Sequence, residues 1–360
     1  MWDVAIIGAG LTGLTCARQL SAAGLTVCVL DKSRGLGGRI ATRRIDSQAY
    51  GQVPTDHGLR YWPSSATLQP LTDELIAAGV LQPWTVSAYE LHTNDLLVPT
   101  ESQTVYMAKT GMSAMAKYLA SGLIPNETLL TNHCAIELTP EGNGWRIECE
   151  EQKFVMARRC AIAIPAPQAA DLLEARLDNT RQTASLSDRS DDSTLEALRA
   201  VEYNPCLTVI AGYGDQTDMG KLDPAGWMVT DIAGSSTDWT GLDSSKRDSA
   251  VETIIVIHSK PAFAERYADT SDLQPAASVL LRANARKFCD WIAQPNWFQI
   301  HRWRYAQVKK AHPDSFIALT SSLIAGGDWC SLPATSRSPS KSRSLEAAYL
   351  SVLAMADALI

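Results

Sequence analysis

Apolar and polar positions fall into blocks along this chain, and the first three blocks define a unit. Asp3-Val4-Ala5-Ile6-Ile7 is a short apolar run, as expected of a parallel strand buried on both faces. Leu11 to Ala23 has helical spacing and stops at Gly24, a residue suited to the position just past a helix end. Leu25 to Leu30 is a second apolar run that closes at Asp31. Strand, glycine turn, helix and strand thus fit in about thirty residues, the size of one βαβ unit. Further on, the pattern predicts helices over 67–78 and 111–122, short strands over 84–107, a strand over 128–138, a hairpin over 144–151 and an apolar strand over 154–164. Residues 178–194 are rich in Asp, Ser, Thr and Arg and read as a solvated linker or a mobile loop. Strands are expected at 206–213 and 253–258, a helix near 275–293, an apolar strand over 317–325 and a closing amphipathic helix over 345–359. No internal repeat is visible.

Composition narrows the class. The chain has 360 residues, 46% hydrophobic and 20% charged, with ten Trp. It can therefore bury a sizeable core, and on length it has room for two domains. A net charge of −7 argues against a general nucleic-acid surface. The eight cysteines are scattered, none in a C-x-x-C pair, and no His cluster stands at metal-ligand spacing, so no metal is expected. They read as reduced, buried thiols. The first apolar run is short and broken by Gly8, Gly10 and Gly13, neither a membrane span nor a signal peptide in pattern. The expected compartment is the cytoplasm, without a membrane or nucleic-acid partner.

The candidate chemistry lies in three separated stretches. Gly8-Ala9-Gly10-Leu11-Thr12-Gly13 is a G-x-G-x-x-G between a strand and a helix. Its first glycine suits the tight turn, its second the approach of a pyrophosphate, and its third close helix–strand packing. Helix N–H groups then face the phosphates. Asp31 ends the next strand, where a carboxylate accepts from ribose hydroxyls, or alternatively is a plain turn residue; Lys32 follows it. Next, Arg34-Gly35-Leu36-Gly37-Gly38-Arg39 offers a second backbone approach to a diphosphate, with a guanidinium for charge-assisted bonds. Near the end, Gly326-Gly327-Asp328-Trp329 follows an apolar strand and resembles the late G-D motif of two-domain flavoproteins, in which the Asp serves the ribityl chain. The helix beginning at Leu345 could turn its N-terminus to the flavin. Together the three stretches predict non-covalent FAD.

The fold class this implies is α/β: a Rossmann-like FAD-binding domain with an inserted α+β substrate domain containing a mixed sheet. FAD-binding parts are expected at 1–65, 108–177 and 315–360, substrate-domain parts at 66–107 and 195–314, with the linker at 178–194. Further candidate cofactor contacts are His57, Gly58 and Leu59 in a loop, and Ala135 and Ile136 in the middle of the chain.

These elements look like the p-hydroxybenzoate hydroxylase and amine oxidase superfamily, and within it the chain resembles the renalase family of flavoprotein oxidases. The resemblance rests on residues 38–44 and 56–62, on Tyr203-Asn204-Pro205-Cys206, Asp243-Ser244-Ser245-Lys246 and residues 256–261, and on His301-Arg302-Trp303-Arg304-Tyr305-Ala306. There are departures. Leu59-Arg60 stands where the family has a small residue and Gln, and Arg247-Asp248 stands where it has Pro-Gly. The resemblance implies hydride transfer from isomeric dihydronicotinamides, the 2- and 6-dihydro forms of NAD(P), with O2 as acceptor and H2O2 as product. The flavin supplies the redox chemistry, while the protein supplies orientation and a dry pocket.

Candidate pocket residues are His258, Tyr61 and Trp62, each with a core-packing alternative. Trp303 and Arg304 either face the pocket or brace two domains, bracing being the preferred reading, and Trp239 and His92 are weaker pocket candidates read as structural. Two rival functions stand beside this one. An amine oxidase or amino-acid dehydrogenase would use a lysine bonded to water near the flavin, with Lys246 or Lys260 as candidates. A non-catalytic FAD-binding protein is the other; against it, the Trp content and second domain suggest an enclosed small-molecule site.

Overall fold

The computed structural model describes residues 1–47, 51–101, 104–180, 189–216, 218–234, 236–248, 250, 252–332 and 343–360, with side chains described outside 175–192. Its first unit forms as the pattern dictates: β1 (Trp2–Ile7), α1 (Leu11–Ala22) and β2 (Val27–Asp31). β1 pairs in parallel with β2 on one side and with strand Phe154–Ile162 on the other. Strand Leu129–Thr131 extends the sheet beyond β2. Strand Phe154–Ile162 is shared: its first half joins an antiparallel meander with Ala135–Glu141 and Gly144–Cys149, and its end pairs in parallel with Leu323–Ala325.

The near-continuous apolar runs are explained by burial on both faces. On one face, α1, helix Ser113–Leu119 and helix Arg343–Leu359 pack around Ile6, Leu14, Val29, Met115 and Val352. On the other, the meander and helix Ala166–Thr180 pack around Ile7, Leu30, Trp145, Ile147 and Leu173.

A second sheet of seven strands is built from Ser87–Leu91, Leu97–Pro99 and five strands between 202 and 310. It is mixed: Trp227–Asp231 runs parallel to Ser87–Leu91, and the other neighbours are antiparallel. Pro205 cannot donate to a ladder, and the register shifts between Asn204 and Cys206, where a bulge absorbs it. Helix Gln274–Ala285 covers one face, over Leu207, Val209, Ile255 and Ile257. The alternate residues, Ile210, Ile254 and Val256, meet Ile45 and Val53 from the hairpin Thr42–Ser47/Gly51–Asp56.

Three expectations are corrected. The tract 178–194 is not a plain linker, because helix Ala166–Thr180 runs into it and helix Arg189–Arg199 begins inside it; residues 181–188 lie outside the described residues. The second helix docks through Leu195 and Leu198, just past the tract, on the meander side. The apolar run 317–325 is two antiparallel strands, Ile317–Thr320 and Leu323–Ala325. The helix near 275–293 ends at Ala285.

A buried ionic cluster fastens the second sheet to the dinucleotide unit. Lys246 Nζ, fully buried, donates to Asp243 Oδ1 at 2.6 Å, to Arg60 O at 2.7 Å and to Asp56 Oδ2 at 3.2 Å. Arg247 donates to Asp243 Oδ2 at 2.7 Å and lies 3.4 Å from Asp56 Oδ2. Burial opposes ionisation of Asp243, but Lys246 and Arg247 overcome it and hold its carboxyl below the usual range. Asp56 in turn accepts from Thr42 Oγ1 and Met112 N, both at 2.8 Å. Removing one member of such a set leaves buried charge uncompensated. Lys246→Ala should therefore cost about 3–5 kcal/mol of stability, read as a lowered denaturant midpoint; an unchanged midpoint would mean that the cluster is solvated.

Candidate functional site

The glycines of the first turn divide their work as the motif requires. A Cβ at Gly13 would lie 1.8 Å from Gly8 O, so only glycine lets α1 approach β1 this closely. At Gly10 a Cβ would meet nothing within 4 Å, and the backbone ahead of α1 is bare to a ligand. Ala9 O accepts from Gly37 N at 2.8 Å, and Gly10 bridges to Gly37, so the second glycine stretch lies alongside the first. Gly37 and Gly38 have φ of +108° and +54°, conformations that glycine adopts without strain. Leu11 and Thr12, in the first turn of α1, are buried.

Asp31 accepts from Ala9 N and Ser33 N, both at 2.7 Å. The carboxylate therefore orders the glycine turn, and its remaining lone pairs are still open to a ribose hydroxyl. Lys32 and Arg34 are exposed on the turn after β2. Ala135 and Ile136 stand near the same end: His133 N donates to Asp31 O at 2.9 Å, and Ile136 is half exposed.

Arg39 and Asp328, expected on a diphosphate and a ribityl chain, bind each other in this structure. The pair is two-pronged, with both N···O distances 2.6 Å. Arg39 Nη1 also approaches Tyr305 O at 3.3 Å. Gly327 N donates to Ser351 Oγ on the last helix at 3.0 Å, and Leu345, in that helix's first turn, packs against the first core. The loop His57-Gly58-Leu59 is strapped over the pair. Leu59 N donates to Arg39 O at 2.8 Å, a Cβ on Gly58 would lie 2.1 Å from Arg39 O, and Trp303 Nε1 donates to His57 O at 3.2 Å.

Across the second sheet a row of residues faces this loop. His301, Thr208, His258 and Trp239 are directly opposed on four neighbouring strands. Thr208, His258 and Trp239 are buried. Arg60 reaches over the row. Its Nε donates to His258 Nδ1 at 3.2 Å, Nη2 donates to Asp238 Oδ2 at 2.6 Å, and its guanidinium carbon sits 5.1 Å from the Trp239 ring centre. A guanidinium can only donate, so Nδ1 of His258 is the acceptor and a neutral ring carries its proton on Nε2. Burial first, then the charge of Arg60, holds His258 well below its ordinary pKa. His57 is pushed down to about 3 by burial, His301 and Arg43, and His301 to about 4 by burial and Arg43. These imidazoles are neutral at pH 7. Two buried donors there, His258 Nε2 and Trp239 Nε1, have no partner among the described residues.

Two candidates fall elsewhere. Trp62 is core, not pocket wall: it is fully buried and donates its indole N–H to Thr72 Oγ1 at 2.8 Å. Lys246 has all three donors engaged in the ionic cluster, so it has none left for a flavin-bound water. Tyr61 packs against Trp84, next to Arg60 in the chain. Lys260 is half-buried at the start of a short helix. Arg304 is exposed, and His92 pairs with Glu90 at the surface. Sequence reasoning missed Thr208 and Asp238, and it placed Trp239 with structural residues; strand register brings them together, and no local motif signals it. Among the described residues no cluster could hold a metal, and no helix is long and apolar enough to cross a membrane.

Comparison with known proteins agrees with this layout. The family model described as NAD(P)-binding Rossmann-like domain matches residues 6–75. The model for flavin containing amine oxidoreductase matches residues 79–310. Among solved structures, the chain is similar to cyclohexylamine oxidase from Brevibacterium oxydans IH-35A, with TM-score 0.70, 13% identity and coverage of 99% of this chain and 98% of that one. It is similar to putrescine oxidase bound to putrescine, with TM-score 0.68, 11% identity and coverage of 99% and 98%. It is also similar to a protein described as a protoporphyrinogen oxidase from Exiguobacterium sp. 255-15, with TM-score 0.70, 13% identity and coverage of 98% and 97%. At these identities the structures share the fold.

Two outcomes are expected from this geometry. Gly10→Val should fold normally yet fail to retain the dinucleotide, since its side chain enters open space that a pyrophosphate would fill; full retention would misplace the cradle. The second concerns pH. The buried histidines titrate lower in the folded chain than the value near 6.5 of the unfolded one, so the unfolded chain takes up the extra protons on acidification. Stability is full above about pH 7 and falls from there towards 3. Between pH 7 and 5 His57 alone should remove about 2 kcal/mol, measured by chemical denaturation, and a flat profile would show the imidazoles to be solvated.

Proposed function

This chain belongs to the flavin-containing amine oxidoreductase family and uses FAD, and on that premise we propose that it is a renalase-like oxidase of isomeric dihydronicotinamides. In such a reaction the reduced ring would give up a hydride, which with O2 and a proton from solvent accounts for H2O2 and leaves the nicotinamide oxidised. FAD supplies the two-electron carrier.

In this reading the 8–13 loop and the N-terminus of α1 hold the pyrophosphate, with the second glycine stretch at 37–38 alongside. Asp31 takes the ribose, and Ala135 and Ile136 border the adenine end. Gly58, Leu59, Gly327 and the Arg39–Asp328 pair line the flavin end, and Leu345 supports it from the last helix.

The observation that carries the substrate reading is the pair of orphan donors on the sheet. His258 Nε2–H and Trp239 Nε1–H are buried without partners among the described residues, and an unsatisfied buried donor is costly. They match a ligand that brings acceptors, such as a carboxamide carbonyl on a planar ring. An alkylammonium brings only donors. It would also meet the Arg60 cation and neutral histidines in a low-dielectric pocket.

The named substrates of the similar structures favour an amine as second reading, and Asp238, half exposed beside Arg60, is the carboxylate it would require.

Anaerobic flavin bleaching distinguishes the two. The 2- and 6-dihydro isomers of NAD(P)H should bleach the flavin quickly, whereas NADH, putrescine and cyclohexylamine should act slowly or not at all. His258→Ala should slow reduction about 10–100-fold, the value of one hydrogen bond made in a dry site. Rapid bleaching by an amine, with no response to any dihydronicotinamide, would overturn the proposal.

A further inference from the structure

The sheet face that carries His258 also borders a cavity farther along. Ile254 lies four residues before His258 on the same strand, about 13 Å along it, and it lines a cavity of about 490 Å³. Between the two lie Val256, Ile210 and Ile45, a buried apolar cluster. The cavity is half open to solvent and lies between Arg44 and residues 52–54 of the hairpin strands, Lys109 and Thr110, and the side chains of Ser244, Arg247 and Glu252.

Its charges are unusual for a structural crevice. Arg44, Lys109 and Arg247 line it together with a single carboxylate, Glu252. Arg44 is exposed on its strand opposite Pro54, with no ion-pair partner among the described residues. Lys109 meets only the well-exposed Asp248, at 3.0 Å. Arg247 is anchored from behind by Asp243 and Asp56, and its buried Nε has no partner among the described residues. Glu252 is 4% exposed; Oε1 accepts from Trp297 Nε1 at 2.8 Å, while the buried Oε2 has no partner among the described residues. A nearly buried carboxylate with one bare oxygen, among three cations, is costly unless something completes it. Arg247, which lines the cavity, and Asp248, which pairs with Lys109, stand where the resembling family has Pro-Gly.

We propose that this cavity is a second ligand site, separate from the flavin pocket, for a small organic anion that also carries an ammonium or hydroxyl donor. The anionic group is held by Arg44 and Lys109, with Arg247 as the anchored wall, and the donor is received by Glu252. Guanidinium and ammonium groups around an oxyanion make the stronger class of hydrogen bond, and the volume is ample for a small metabolite. The inference does not depend on which substrate reduces the flavin.

Phosphoethanolamine is a suitable probe because it carries both groups, and inorganic phosphate is its control with charge alone. Titration calorimetry on the FAD-loaded protein should show millimolar or tighter binding of phosphoethanolamine, at least tenfold tighter than phosphate. The double variant R44A/K109A should weaken it tenfold or more while keeping bound FAD and its rate of flavin reduction. Glu252→Gln keeps an acceptor for Trp297 and should erase the preference for phosphoethanolamine over phosphate. Absence of binding at about 10 mM, equal affinity for the two probes, or an R44A/K109A variant with unchanged affinity would each overturn the proposal.

Discussion

The ammonium of Lys246 is the fixed point of this molecule. Taking a lysine fully out of water is tolerable only if its donors are satisfied and its charge is matched. Here the match comes from two parts of the chain: Asp243 is three residues away, whereas Asp56 and the Arg60 carbonyl belong to the dinucleotide side. Lys246 can be buried only if the second sheet docks in one register against residues 56–60. That register sets His258 beneath Arg60 and places His57 beside His301, 5.0 Å between ring centres. The candidate site is thus a consequence of how one buried charge is neutralised.

Arg60 performs the same service on a smaller scale. Its main-chain oxygen belongs to the ionic cluster, while its side chain joins Asp238, His258 and Trp239. A residue tied at both ends has little rotamer freedom, and rigid positioning is what hydride transfer at near-attack distance demands. Leu59 is held in the same way through its backbone bond to Arg39 O. Arg39 is in turn locked to Asp328 across 289 residues of chain. The late G-D stretch and the early glycine stretch therefore stabilise one another even where neither touches a ligand.

The parts of this arrangement that were legible in the sequence are those fixed by local rules. Gly8, Gly10 and Gly13 announce a turn because backbone sterics and strand–helix spacing leave few alternatives, and the runs at 3–7 and 25–30 announce buried parallel strands by lacking alternation. The meeting of Thr208, His258 and Trp239 was not legible, because it depends on the pairing of separate strands, and a slip of one residue would send each side chain to the other face. Trp62 was misplaced for a related reason. Proximity to the 57–59 loop suggested a pocket, but neighbouring residues in extended chain point in opposite directions, and Thr72 lies on the far side to receive its N–H. The helix at 189–199 was hidden by its polar sequence, because Leu195 and Leu198 are apolar stripe enough to dock it.

The same low dielectric that makes the ionic cluster demanding also fixes the character of the candidate pocket. An imidazole near Arg60 and Arg43, with little water to stabilise a proton, stays neutral, as His57, His258 and His301 do. Neutrality alone leaves the tautomer open. The guanidinium on Nδ1 of His258 closes that choice and turns Nε2 into a permanent donor. Trp239, a donor at any pH, lies edge to face with His258, their ring centres 5.6 Å apart. The sheet thereby presents two donors without formal charge, with the nearby carboxylate, Asp238, already paired to Arg60. Selectivity of this kind needs no nucleophile or general base. It follows from which buried atoms were left without partners and from the sign of the charge beside them.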